Sequence, residues 1–360
     1  MPTLLSSLLA TLPCAFPGLC PVGGSDSSPA PTIAETRIYR IRQTVAVHDV
    51  PPAAREVRLW VPVPADGAWQ RVLDRRVVEA PGTWALEPQP VSDAEMVVVR
   101  AKAQGTVQVV VETTVLRQSP VFDLDAAGPS EIQAALFDEE LRKDAPLMGA
   151  DAKIFELATK ACANETDPRR KVVKLLDAVA DVADHYSKDP SKPNCGRGAA
   201  EDCLQNGGGC CTDLHSLFIA AARAQGIPAR IQFGYRLKAE KEDTEYDPSY
   251  RCWVEFYLPS AGWVPTDLVV ADADEPAVRK SRYGTLDARR VWLWQGRGLE
   301  LVPPQSGAPI ETMLVGWAEI DGVAVEVLPA EDGTPSQLRR TIRFQDLTPK
   351  AAPTKTATAQ

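Results

Sequence analysis

Residues 207–235, GGGCCTDLHSLFIAAARAQGIPARIQFGY, constrain the fold more than any other part of the chain. Three glycines deliver the backbone to a pair of cysteines, and a helix starts there. Leu214, Leu217, Phe218, Ala221 and Ala222 recur at helical spacing, so one face of that helix is apolar and buried. Gly226 occupies the position past the helix end where a left-handed residue is wanted, and Pro228 forbids resumption. Residues 229–235 then read as a strand. A thiol at such a helix start faces the positive end of the helix dipole, which favours thiolate and makes a nucleophile. The competing reading is a buried structural cysteine, the commoner fate of the residue type.

The chain around this stretch has 360 residues, enough for two or three domains and an ample core. Its 44% hydrophobic and 24% charged content is that of a globular protein. A net charge of −9, with no basic stripe interleaved with aromatics, argues against a nucleic-acid partner. No apolar run is long enough to span a bilayer. Residues 4–20 are apolar and precede a loose linker, so residues 1–33 resemble a secretory leader, although a basic start is lacking and Pro13 and Pro17 interrupt it. Export to the periplasm or cell envelope is the expectation; a cytoplasmic protein with a mis-assigned start is the alternative.

Residues 34–120 alternate as short strands between proline and glycine breaks, the pattern of a sandwich-like β domain in which Trp60 and Trp69 are packing residues. From residue 130 the period becomes helical. Residues 131–141 and 151–162 read as helices, and a third is announced by Asp167 as cap and Pro168 at the first helical position. A short helix over residues 199–205 leads into the glycine turn. Residues 252–258 and 263–267 read as two strands joined by a turn, and residues 291–348 as a further β segment in which Asp321-Gly322 marks a hairpin. Residues 349–360 are too polar to pack and read as a disordered tail.

A cysteine nucleophile needs a base to move its proton and an acceptor to orient that base. The order seen here, a helix-start thiol followed by a hairpin ending in Asp267, is how a papain-related core presents such groups. GGGCCTDLHSLFIAAARAQGIPARIQFGY and RCWVEFYLPSAGWVPTD resemble the two signatures of the transglutaminase-like superfamily, and YGTLDARRV at residues 283–291 extends the likeness. Bacterial proteins with such a core behind a β domain are similar over residues 36–328. The resemblance implies an α+β fold: a β-sandwich-like domain at 34–120, a papain-like transglutaminase core at 121–290, then the β segment. It also implies that Cys211 is the nucleophile and Asp267 the orienting carboxylate. The family's histidine position is Arg251. A guanidinium, with a pKa above about 12, neither accepts the thiol proton nor returns it to a leaving group.

Among the three histidines, His215 follows Cys211 by four residues on the same helix face and is the one possible alternative base. Cys195, Cys203, Cys210 and Cys211 lack metal-ligand spacing, and no metal or other cofactor is implied. A disulfide among Cys195, Cys203 and Cys210 and plain packing of these cysteines both remain open. Glu255 has two prospective partners, Arg251 and Arg230. Two functions follow from the missing base. One is an impaired transglutaminase-like scaffold that binds a peptide or protein in its old cleft. The other is a working cysteine acyl-transfer enzyme, performing amide hydrolysis or γ-glutamyl transfer, with Cys211 as nucleophile and His215 or a substrate group as base.

Overall fold

The computed structural model describes residues 30–102, 104–126, 131–194, 196–259, 261–271, 275–325, 327 and 335–349. The leader, most of the tail and Cys195 lie outside the described residues.

The N-terminal strands are β1 (Thr32–Val50), β2 (Val57–Val63), β3 (Gln70–Glu79), β4 (Thr83–Gln89), β5 (Ala94–Ala101) and β6 (Gly105–Val121). The helical region holds α1 (Ala152–Ala161), α2 (Pro168–Val182), the two-residue strand β7 (Asp184–His185), α3 (Ala200–Asn206), a second short strand β8 (Gly208–Gly209) and α4 (Cys211–Ala224). After it come β9 (Ala229–Arg236), β10 (Arg251–Leu258), β11 (Gly262–Thr266), β12 (Arg290–Gln295), β13 (Trp317–Ile320), β14 (Val323–Ala324) and β15 (Leu338–Asp346). Three antiparallel sheets result, with strand orders β15-β1-β6-β3, β14-β13-β2-β5-β4 and β11-β10-β9-β12.

The first two sheets face each other as a sandwich. Their inward positions are aliphatic and, Leu59 apart, β-branched: Val45, Val47, Leu59, Val61, Val97, Val99, Val109 and Val111 are buried in one cluster. Pro62 is tolerated within β2 because β13 pairs only as far as Trp60, so no neighbour on that side seeks its missing N–H. The late strands are woven into earlier sheets rather than standing apart. β12 completes the core sheet, β13 and β14 extend the sandwich, and β15 runs antiparallel to β1.

The core sheet and α1–α3 enclose α4, all fourteen of whose residues are buried. The apolar stripe read from the sequence accounts for five of these fourteen residues. The small residues Ala220, Ala221 and Ala222 let neighbouring elements approach closely. Gly208 and Gly209 are required at the entrance. Gly208 has φ 147°, and a Cβ there would stand 2.1 Å from the Asp184 carbonyl; one at Gly209 would stand 2.6 Å from the Asp213 carboxylate. Asp213 in turn accepts from the Cys210 N–H at 2.9 Å, closing the helix start.

One local expectation is corrected. Residues 131–141 form only a 3-10 turn, Ala134–Leu136, none of it buried; Phe137 turns inward, against the Tyr257 and Trp263 rings. Strands β3 and β4 are exposed along most of their length and carry no clean alternation.

Candidate functional site

Cys211 is the first residue of α4, behind the glycine turn, as the sequence implies. Its side chain is nonetheless buried, at 6% exposure. A hydrogen bond with the Cys210 thiol favours the thiolate, but a hydrogen bond with Cys252 and burial act the other way and win, pushing the Cys211 thiol up. Burial of the sulfur thus opposes the helix dipole, which favours the anion.

The strand β10 explains why Cys252 is there. Successive side chains on a strand point to opposite faces. Cys252 meets His215, and Phe256 meets the Phe218 ring edge-on at 6.0 Å, so the even-numbered positions face α4. Trp253 clusters instead with Ala65, Leu286 and Trp292, and Glu255 bonds Arg230 and Gln232, so the odd-numbered positions face away. Arg251 has the parity of Trp253 and Glu255. Its guanidinium donates to the neighbouring Tyr250 carbonyl at 2.8 Å. Of the two partners foreseen for Glu255, Arg230 is the one found, at 2.7 Å.

Asp267 ends the hairpin, buried at the base of the site. One oxygen pairs with Arg290, and the other accepts from the backbone N–H groups of Val269 at 3.0 Å and Val270 at 3.4 Å. Burial alone would raise this carboxyl. The Arg290 guanidinium, aided by the Val270 backbone N–H, overcomes it and holds the group well below the usual carboxylate range. Arg251 takes no part in that pairing.

His215 is fully buried between these groups. Its Nε2 accepts the Leu268 N–H at 3.1 Å and lies 3.6 Å from Asp267 Oδ1, too far for a hydrogen bond to the carboxylate. Because Nε2 accepts, the ring proton is placed on Nδ1, which points at the Cys252 sulfur 3.2 Å away. Thr212 and Tyr250 complete the surround: their hydroxyls are 3.0 Å apart, with Cys210 Sγ 3.6 Å from the Tyr250 oxygen. Cys203, Cys211 and Cys252 are free thiols, and Cys195 lies outside the described residues, so the reading of a disulfide involving it is not addressed. Among the described residues no group of three or more His, Cys, Asp and Glu side chains is disposed to hold a metal ion.

The structure thus brings His215 and Asp267 together but sets Cys252, not Arg251, against the imidazole. Sequence reasoning passed over Cys252 and Arg290. Parity along RCWVEF offered a signal for the first; the second lies in the YGTLDARRV stretch without a motif of its own.

A buried helix opening on a thiol, wrapped by an antiparallel sheet whose hairpin ends in a carboxylate, defines a papain-related α+β core. That core is transglutaminase-like: residues 156–268 match the transglutaminase-like superfamily. An uncharacterized protein of Haemophilus influenzae is 27% identical, over 80% of this chain and 87% of its own length. Among solved structures, a candidate cysteine protease of Cytophaga hutchinsonii superposes with a TM-score of 0.54 at 16% identity, covering 90% of this chain and 95% of that one. The periplasmic domain of TgpA from Pseudomonas aeruginosa is a more distant likeness, with a TM-score of 0.32 at 18% identity over 69% of this chain and 95% of that one. No helix among the described residues is long and apolar enough to cross a membrane.

Proposed function

We propose that this transglutaminase-like protein is impaired in acyl transfer and serves as a scaffold that binds peptide or protein segments. The observation that carries the reading is the company Cys211 keeps. Its sulfur sits beside the Cys210 and Cys252 thiols, is 6% exposed, and burial favours its neutral form. Neither prospective base serves it. Arg251 is an obligate cation turned to a backbone carbonyl, and His215 is engaged by Leu268 and Cys252. General acid–base transfer supplies about a hundred- to ten-thousand-fold in rate, so its loss leaves little turnover. The apolar segment at residues 4–20 supports delivery to the periplasm or cell envelope.

The test is turnover of glutamine-containing peptides, read both as ammonia release and as incorporation of a primary amine. Wild type and Cys211→Ala are expected to give the same background rate. Turnover by the wild type that disappears in Cys211→Ala and in His215→Ala overturns the reading in favour of a working acyl-transfer enzyme.

A further inference from the structure

The sandwich leaves one sheet edge unguarded. A strand that ends a sheet exposes unpaired backbone groups, and proteins blunt such edges with charge, bulges or brevity. Among the described residues, β14 has two residues, and β11 has five with Pro265 among them. β3 carries Arg71, Asp74, Arg75, Arg76 and Glu79 and is broken by two register shifts. β15 carries Arg339, Arg340 and Arg343, and Tyr246 bridges its outer side at Ile342. β4 lacks these devices. Its seven residues pair with β5 without a shift, and Glu87 is its one charge.

The exposed side chains of β4 include two large apolar ones. Trp84 and Leu86 stand opposite Val99 and Val97 of β5, two residues of the sandwich core, so they point to the inner face. At the open end of that face they are 49% and 41% exposed. Their backbone groups lie on the free side as well. Pro88 has no N–H, and proline fits an edge strand where that group would face away from the neighbour. Trp84 and Leu86 share its parity, so their N–H and C=O groups line the edge. Thr83, Ala85 and Glu87 alternate to the other face, and Ala85 is exposed there.

This edge is self-complementary. Antiparallel pairing with a second β4, centred on Ala85, sets Trp84 opposite Leu86 of the partner subunit and the reverse. The apolar side chains of both copies then meet on the inner face, and the small Ala85 side chains meet on the two-fold axis. Centring on Trp84 or on Leu86 instead leaves the other residue opposite Gly82 or Pro88. Charge agrees with the Ala85 register. Thr83 stands opposite Arg100 of β5, and its new neighbour is Glu87 of the partner subunit. That carboxylate is two strand spacings, about 10 Å at the backbone, from Arg100, a gap that the two side chains span together. Neither Arg100 nor Glu87 has an ion-pair partner in its own chain among the described residues. We propose that β4 docks against β4 of a second copy of this chain, joining two five-stranded sheets into one continuous sheet. The inference lies beyond the proposed function and does not depend on the thiols.

Sedimentation velocity of the full chain from about 1 to about 200 µM tests it, a span suited to a small interface. A monomer–dimer equilibrium is expected. Ala85→Lys and Ala85→Glu each place like charges directly opposite one another on the axis, so each variant alone should dimerise about fivefold more weakly or worse. Mixed in equal amounts, the two should associate at least as well as the wild type, which also shows that both fold. Arg100→Glu, which makes both cross-strand charge pairs repulsive, should weaken dimerisation about tenfold. Hydrogen exchange gives a reading without substitution: the Trp84 and Leu86 amides should gain protection as concentration rises. A wild type that stays monomeric throughout overturns the inference and leaves this edge to an extended segment of another protein. Dimerisation that the Ala85 variants do not weaken, or that mixing them does not restore, overturns it too, as does open-ended growth beyond the dimer.

Discussion

Replacing Arg290 with methionine strands a carboxylate inside the protein. Asp267 and Arg290 are 5% and 3% exposed, so neither charge of the pair is solvated in the fold. Removing one member of a buried pair costs about 3–5 kcal/mol, because the survivor is left without a counter-charge. Asp267 keeps its bonds from the Val269 and Val270 N–H groups, which places the expected loss near the lower end, about 3 kcal/mol at pH 7. The pH dependence fixes the cause. In the wild type the folded-state carboxyl is held below its unfolded value of about 3.9. It therefore contributes stability that is fully present above that value and is lost as pH falls through the lower folded one. In Arg290→Met the balance inverts, because burial now raises the carboxyl. The penalty is then largest at neutral pH and is relieved as acid protonates Asp267. Urea midpoints measured for both proteins at pH 7 and pH 5 read this directly, with the gap narrowing at the lower pH. A gap below about 1 kcal/mol at pH 7, or one that does not shrink in acid, refutes the assignment of Arg290 as the group that holds Asp267 ionised.

Cys211 should alkylate slowly. Its raised thiol predicts iodoacetamide labelling at pH 8 at least about tenfold slower than an unperturbed thiol, with the rate still rising above pH 9; peptide mass spectrometry over a pH series checks this, and fast labelling at pH 7 contradicts it. Asp213→Ala removes the acceptor for the Cys210 N–H and should cost about 1–3 kcal/mol in urea denaturation, since that donor is buried; Asp213→Asn, which retains an acceptor oxygen, should cost less.

What the sequence disclosed depended on whether the deciding interaction was local. The start of α2 was legible because Asp167 accepts from the Arg169 N–H two residues on, and Pro168 sits where an N–H has no helical partner. The hairpin at Asp321-Gly322 was legible for the same reason: both residues adopt positive φ, 51° and 81°, which that dipeptide favours. Helix α4 was legible because its entrance, stripe and stop are contiguous. The site was less so. The dipole at Cys211 is local, but the burial of its sulfur is set by β10, forty residues on. The Asp267–Arg290 pair joins the end of β11 to the start of β12, and period-two alternation along β10 does not by itself say which face meets the helix. Only the register with β9, Cys252 opposite Phe233 and Glu255 opposite Arg230, fixes that.

The occupancy of Asp267 bears on what the arginine at position 251 means. In a Cys-His-Asp array the carboxylate orients the base through one of its oxygens. Here one oxygen is taken by Arg290 and the other by two backbone N–H groups at the turn that follows β11. The carboxylate is thereby a fastening between β11 and β12, and its depressed pKa follows from that fastening. His215 is held nearby by the Leu268 N–H of the same turn, with its Nδ1 directed at a thiol on the opposing strand. Restoring a histidine at 251 therefore supplies a proton carrier without supplying its orienter. The proposed impairment would lie in the arrangement of Asp267, His215 and Cys252 as much as in the identity of residue 251.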